Sequence, residues 1–200
     1  MALTKDQGEE MVRLARTTVD AFVRGEDIGT PRVRTEPFLL EERGTFVTLK
    51  RLNGELRGCI GFPYPVKQLG EAIVEAAMSA AAYDPRFPRV EPRELDGLLV
   101  EVSALTRPEK VEYASHRDLP KQVRIGVDGL IVSAPGRSGL LLPQVATEYK
   151  FSPEDFLTQT CLKAGLPADA WITDKIIVQR FQAEVFTETS PRGKVVRELD

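Results

Sequence analysis

The chain has no hydrophobic run long enough to cross a bilayer, and its first residues, MALTKDQGEE, lack the charged-then-apolar pattern of an export signal. A cytoplasmic protein away from membranes is the expectation. Cysteine is scarce: Cys59 and Cys161 are the only two, expected as free thiols rather than a disulfide in that compartment. Histidine is scarcer still, His116 alone. Two thiols and one imidazole far apart in sequence argue against a structural zinc site, so neither a metal nor another cofactor is expected. A basic excess is also missing: 27 Lys and Arg against 30 Asp and Glu give a net charge of −3. That argues against broad attraction to nucleic acid. Arg86, Arg89 and Arg93 form a local basic run, as do Arg117, Lys121 and Arg124, but neither is interleaved with aromatics as an RNA-binding sheet would be. No GxGxxG joins a strand to a helix, and GxxxxGK, HExxH, CxxC and GxSxG are all missing, which removes a Rossmann or P-loop reading.

What is present suits a globular protein. Two hundred residues with 42% hydrophobic and 28% charged side chains can bury a real core, as one large domain spanning 1–200 or as two closely joined subdomains. From Thr4 to Arg24 apolar residues recur at spacings of three and four, predicting an amphipathic helix. The polar, proline-containing stretch 25–40 reads as a loop. Gly44 to Gly61 reads as a hairpin around Asn53-Gly54, and Val66 to Tyr83 as a second helix ended by Asp84-Pro85. Leu98 to Leu105 is a strand. Val123 to Ala134 reads as another hairpin, turning at Asp128-Gly129. Ser152-Pro153-Glu154-Asp155 is a helix start, and Gly165 a helix stop. Ile176 to Phe186 reads as one last strand. Hairpins mixed with helices, without a steady strand-helix alternation, predict an α+β fold: a mostly antiparallel sheet packed with helices.

The stretch LRGCIG, Leu56 to Gly61, is unusual for the return strand of a hairpin. A two-residue type I′ turn at Asn53-Gly54 would pair Lys50 with Arg57, Leu49 with Gly58, Thr48 with Cys59 and Val47 with Ile60. Alternation then places Arg57 and Cys59 on one face with Thr48 and Lys50, opposite Leu56 and Ile60. Cations beside a thiol lower its pKa and favour the thiolate. Cys59 is therefore a candidate nucleophile or redox thiol, and Arg57 a candidate anion holder; Thr48, Lys50, Gly58 and Gly61 are candidate ligand contacts. The bland alternative stands beside this one: cysteine is most often a small buried hydrophobe. Cys161 reads as core, in step with Phe156, Leu157 and Ala164. His116, in SHRDLP, reads as a turn residue. The helix after GFPYPV has no capping side chain, so with Pro65 at its first position its free amides are a second candidate anion site, bounded by Arg57, Cys59 and Gly61.

Several motifs in order resemble the AMMECR domain family: FVTL with LRGCIG (Phe46–Leu49, Leu56–Gly61), DPRFP (Asp84–Pro88), IGVDGLIV (Ile125–Val132), GLLLPQVA (Gly139–Ala146) and CLKAGLPADAW (Cys161–Trp171). The resemblance covers nearly the whole chain and is to compact prokaryotic or archaeal single-domain members. It implies an α+β fold in two unequal, closely joined subdomains, with LRGCIG near a cleft and Asp84 and Arg86 of DPRFP among the ligand contacts. It supplies no established reaction. The expectation is a small-molecule enzyme or a protein binding an anionic ligand at the LRGCIG cleft; the alternative is a non-catalytic regulatory or protein-interaction module. Association of such domains with Memo-like and radical-SAM proteins names possible protein partners. Arg89 and Phe151 depart from the family pattern, where proline and tryptophan are expected.

Overall fold

A computed structural model of the protein describes residues 3–27, 36–173 and 176–198. The chain divides into two compact units: one takes the chain up to Leu105 and resumes at Glu184, and the other is Thr106–Ala183. The fold is α+β. No helix among the described residues is long and apolar enough to cross a membrane.

In the first unit, β1 (Thr45–Arg51), β2 (Leu56–Phe62), β3 (Leu98–Leu105), β8 (Ala183–Glu188) and β9 (Val195–Glu198) form a sheet in the order β2-β1-β3-β8-β9. Helices α1 (Lys5–Arg24) and α2 (Leu69–Ala82) pack on each other; α1 also lies against β3 and β9, and α2 against β1 and β2. Helix α1 starts as its sequence predicts. Thr4 accepts from the Gln7 amide while the Gln7 side chain accepts from the Thr4 amide, and Gly25 closes the helix in the left-handed conformation. Met11, Val12, Ala15 and Val19 meet Val47, Leu49, Val100 and Val102 in the core. Beneath α1, Arg16 forks onto Glu188 at 2.5 and 3.0 Å, and Arg192 bonds Asp20.

The second unit has β4 (Glu109–Lys110), β5 (Gly129–Ala134), β6 (Arg137–Leu141) and β7 (Ile177–Phe181) in the order β4-β7-β5-β6. It also holds α3 (Pro143–Glu148), α4 (Pro153–Lys163) and α5 (Ala170–Thr173). Ser152 caps α4 with the reciprocal Asp155 bond, and Cys161 lies in this unit's core with Phe156, Leu157 and Trp171. His116 lies in a short 3-10 helix, with Nδ1 2.8 Å from the Trp171 carbonyl oxygen.

Three expected elements differ. Val123–Val127 is not a strand: the buried Asp128 carboxylate gathers the Arg124 amide and guanidinium, closing a local turn there. The hairpin instead turns at Pro135-Gly136, with Ala134 paired to Arg137. The last strand is two strands in different sheets, because Gln182 leaves the ladder and its backbone pairs with Thr106. And α2 begins at Leu69 rather than Val66.

Close packing of α2 on the sheet depends on Gly58. A methyl group there would overlap the Ala80 carbonyl oxygen, a backbone atom of α2 that cannot swing aside. Gly58→Ala is expected to cost about 1–3 kcal/mol through forced displacement of the helix, measured as a lower urea midpoint with unchanged m. Wild-type stability in this variant would show that α2 yields freely.

Candidate functional site

The β1–β2 hairpin sets the geometry around LRGCIG. Its tip is not a two-residue type I′ turn. The Gly54 amide bonds the Arg51 carbonyl at 2.9 Å and the Arg51 amide bonds the Glu55 carbonyl at 2.8 Å, so the loop is Leu52-Asn53-Gly54. Gly54 takes a φ of +87°, whereas Asn53 is not among the described residues with positive φ. This is the longer turn that ends in a left-handed glycine. The extra loop residue shifts the register by one, so Lys50 faces Leu56. A β-bulge at Arg57 then shifts it back, and Leu49 faces Gly58, Thr48 faces Cys59 and Val47 faces Ile60. The expected pairing thus holds from Leu49 onward, through two irregularities that cancel. The expected faces hold for Cys59, Thr48, Lys50 and Ile60 and fail for two residues: Leu56 shares the side of Lys50, Thr48 and Cys59, and Arg57 has no partner in the ladder.

The bulge sends the Arg57 side chain to the outer edge of β2, where it is 3% exposed. Nε and Nη2 fork onto Glu94 at 2.8 and 3.0 Å, Nη1 donates to the Pro88 carbonyl at 2.9 Å, and Nη2 also reaches the Arg89 carbonyl at 3.4 Å. The Arg57 pairing holds the Glu94 carboxyl below its usual range. Arg57 is therefore a fastener for segment 84–94 and does not serve as the anion holder that the sequence suggested. Removing Glu94 would leave the buried Arg57 charge with only the Pro88 and Arg89 carbonyls, a destabilising change.

Asp84 fastens the same segment from the other side. Its Oδ2 accepts from the Cys59 amide at 2.9 Å and from Arg86 Nη2 at 2.7 Å. Its Oδ1 accepts from the Arg86 amide at 3.1 Å and Arg86 Nε at 2.9 Å. These donors use the acceptor sites of a carboxylate, so Asp84 is structural and not a ligand contact. The Arg86 hydrogen bonds, ahead of all other causes, hold its carboxyl down at about 2.

Cys59 is half-buried and accepts a hydrogen bond from Thr48 Oγ1 at 3.2 Å. Burial pushes its thiol above the ordinary value; the Thr48 bond and the nearby Arg86 charge pull the other way and lose. The expected depressed pKa is not found, because the two cations predicted to lie beside the sulfur are committed elsewhere. Arg57 points to Glu94, and Lys50 Nζ sits 2.5 Å from Glu101 Oε2. The cation that does influence the thiol is Arg86, whose Nη2 reaches the Cys59 carbonyl at 3.3 Å. Its side chain is 49% exposed. Gly58 and Gly61 serve packing rather than ligand contact: a side chain at Gly61 would strike the Thr45 carbonyl and the Phe46 ring.

The helix start expected at Pro65 is not there. Helix α2 starts beyond it, and its first amide, Leu69, already donates to the Glu41 carbonyl at 2.9 Å. The residue that sequence reasoning missed is Glu101. It is the cross-strand partner of Thr48, is 2% exposed, and its carboxyl is pushed up to about 7 by burial, with Lys50 opposing and Glu198 adding. A lone charged residue in the mostly apolar strand LLVEVSAL was the available signal. A groove of about 640 Å³ runs beside the clamp, lined by Arg51, Leu56, Arg57, Phe87, Arg89 and Glu94 among others.

The Asp84 carboxyl yields a pH dependence. Its folded pKa lies below the roughly 3.9 of an unfolded aspartate, so its stabilisation is present above about pH 4 and is lost as pH falls toward 2. Wild type is expected to exceed Asp84→Asn by about 2 kcal/mol at pH 6, with the two urea midpoints converging as pH approaches 2. A gap that stays constant from pH 6 to 2 would remove the carboxylate from the account.

The whole of this architecture has relatives. A protein of Thermofilum pendens is 47% identical over 97% of this chain and 95% of its own. A protein of Thermococcus gammatolerans is 50% identical over 96% of each chain. The crystal structure of the uncharacterized protein PH0010 from Pyrococcus horikoshii superposes with a TM-score of 0.92 at 45% identity, covering 98% of both chains. The AMMECR1 family model matches residues 12–186, and the chain belongs to the AMMECR1 family.

Proposed function

We propose that the protein binds a small anion at Arg86, beside the Cys59 thiol. The observation that carries this reading is the state of the Arg86 guanidinium. Asp84 holds its Nε and Nη2 edge in a fixed orientation, while the side chain remains half exposed. Among the described residues, no protein acceptor is recorded for its Nη1 group. Hydrogen bonding to Asp84 keeps the group firmly charged. A pre-oriented fork with donors to spare is what carboxylate and phosphate recognition uses, and Lys could not reproduce it. The Phe87 ring, 5.4 Å from the guanidinium carbon, gives the position an apolar wall. The neutral thiol adjoining it suits ligand contact better than spontaneous nucleophilic attack.

A second reading, docking of a partner's peptide segment, draws on the groove along the hairpin tip, where exposed Leu56 and Arg51 lie side by side.

Alkylation with a charged and a neutral reagent tests the anion reading. Iodoacetate carries a carboxylate and iodoacetamide does not, so their rate ratio at Cys59 reports attraction to Arg86. The ratio is expected to exceed that of a free thiol by about twofold to fivefold, the equivalent of up to about 1 kcal/mol from a partly exposed charge pair. It should fall to the free-thiol value in Arg86→Gln, and millimolar phosphate should slow iodoacetate more than iodoacetamide. Equal ratios in wild type and Arg86→Gln would overturn the reading.

A further inference from the structure

The face of the five-stranded sheet that carries Cys59 also carries polar groups in register. Cys59, Thr48 and Glu101 are direct partners across β2, β1 and β3. Thr48 Oγ1 donates to Cys59 Sγ at 3.2 Å, and Glu101 stands next to Thr48 in the ladder, at the spacing from which cross-strand side chains can reach each other. Thr48 and Glu101 are almost fully buried, which an unpaired carboxylate would not tolerate. Glu101 has Lys50 at 2.5 Å, and the same ammonium lies 4.0 Å from Glu198, so two carboxylates share one cation. On the other side of the row, Arg86 and Asp84 are the charged groups nearest Cys59.

Ser103 supplies an independent observation. It stands two residues from Glu101 on the same face of β3, is fully buried, and its hydroxyl has no hydrogen-bond partner among the described residues. A buried hydroxyl left unsatisfied costs about 1–3 kcal/mol. Its neighbour across the ladder is Phe46, whose ring lies against Gly61 on the far strand. An unsatisfied buried hydroxyl calls for an explanation, and this one stands on the face that carries Cys59 and Glu101.

We infer that Glu101 is the proton acceptor for the Cys59 thiol, that the Thr48 hydroxyl relays the proton, and that the row acts on a small anion bearing an electrophilic carbon. The position of that anion rests on the Arg86 reading above; the proton transfer does not. In the resting arrangement Thr48 donates to the sulfur. When the Thr48 and Glu101 side chains turn into hydrogen-bond contact, the Sγ–H proton passes to Thr48 Oγ1 while the Thr48 proton passes to a Glu101 carboxylate oxygen. The electron pair stays on sulfur as a thiolate facing Arg86, and Glu101 becomes a neutral acid beside Lys50. The thiolate pair then forms a bond to the electrophilic carbon as the bond from that carbon to its leaving group breaks, and the bonding pair departs on that group as an anion. A carboxyl that titrates near neutrality suits a general base, and a thiol above its ordinary value explains why the sulfur would need one.

Iodoacetamide, a neutral reagent that needs no help from Arg86, tests the transfer. The thiolate displaces iodide from its CH₂ carbon, and the rate at Cys59 is followed by peptide mass spectrometry from pH 5 to 10; fully buried Cys161 is the internal control. Wild type should show an inflection near pH 7 below the main thiol titration. Glu101→Gln and Thr48→Val should lose it and react at least about tenfold more slowly at pH 7.5, while Thr48→Ser retains it. If Glu101 acts only as a nearby negative charge, Glu101→Gln lowers the thiol pKa and reacts faster, which overturns the inference. So does a wild-type profile without the inflection, a measurement that needs no variant to fold. An intact inflection with an unchanged iodoacetate-to-iodoacetamide ratio in Arg86→Gln would keep the proton transfer and discard the anion site.

Discussion

An edge strand is the constraint on which this structure turns. Strand β2 ends its sheet, so its outward amides have no ladder partner, a condition that invites mispairing unless something covers the edge. Here the cover is segment 84–94, fastened by two charged groups of opposite sign. Asp84 reaches inward to the Cys59 amide, and Arg57 reaches outward to Glu94 and to the Pro88 and Arg89 carbonyls. The bulge is what turns Arg57 toward that edge. The turn of DPRFP is held in place by the strand that it protects.

Much of LRGCIG is explained by this arrangement. Arg57 ties the segment, Gly58 admits the Ala80 carbonyl of α2, Cys59 gives its amide to Asp84, Ile60 packs against the core, and Gly61 lies under the Phe46 ring. What remains for chemistry is the side of Cys59 that faces Thr48, with Arg86 nearby. The charge distribution follows from the fastening: Arg57 is consumed by the fold, and Arg86 is half consumed, leaving an oriented and partly exposed cation. Neutrality of the thiol follows as well, since burial outweighs one donated hydrogen bond and one partly exposed charge.

Local signals were legible in the sequence wherever local chemistry decides the outcome. The span of α1 from Thr4, the Ser152 cap of α4, and the bounds of β3 all stand as read, because a cap or an apolar run needs no distant partner. The direct pairing of Thr48 with Cys59 was legible too, though for an incomplete reason. Asn-Gly signals a tight turn, but nothing local distinguishes the two-residue form from the three-residue form. Nor does a sequence announce a bulge whose side chain, Arg57, finds its partner, Glu94, 37 positions away. The same limit explains Ile176–Phe186: an unbroken alternation hides the point where Thr106 captures Gln182 and sends the halves to different sheets. Glu101 was missed because its partner Lys50 and its neighbour Cys59 come from two other strands.

The central claim is that segment 84–94 seals the edge of β2 through the Asp84 carboxylate. Amide hydrogen exchange of Cys59, read by NMR in the native protein at neutral pH, tests it most directly. The outward amide of an edge strand ordinarily exchanges with little protection, whereas amides of the inner ladder open only with larger parts of the structure. The account predicts that the Cys59 amide exchanges as slowly as its neighbours bonded to β1. Exchange at the rate of an open edge amide would contradict it.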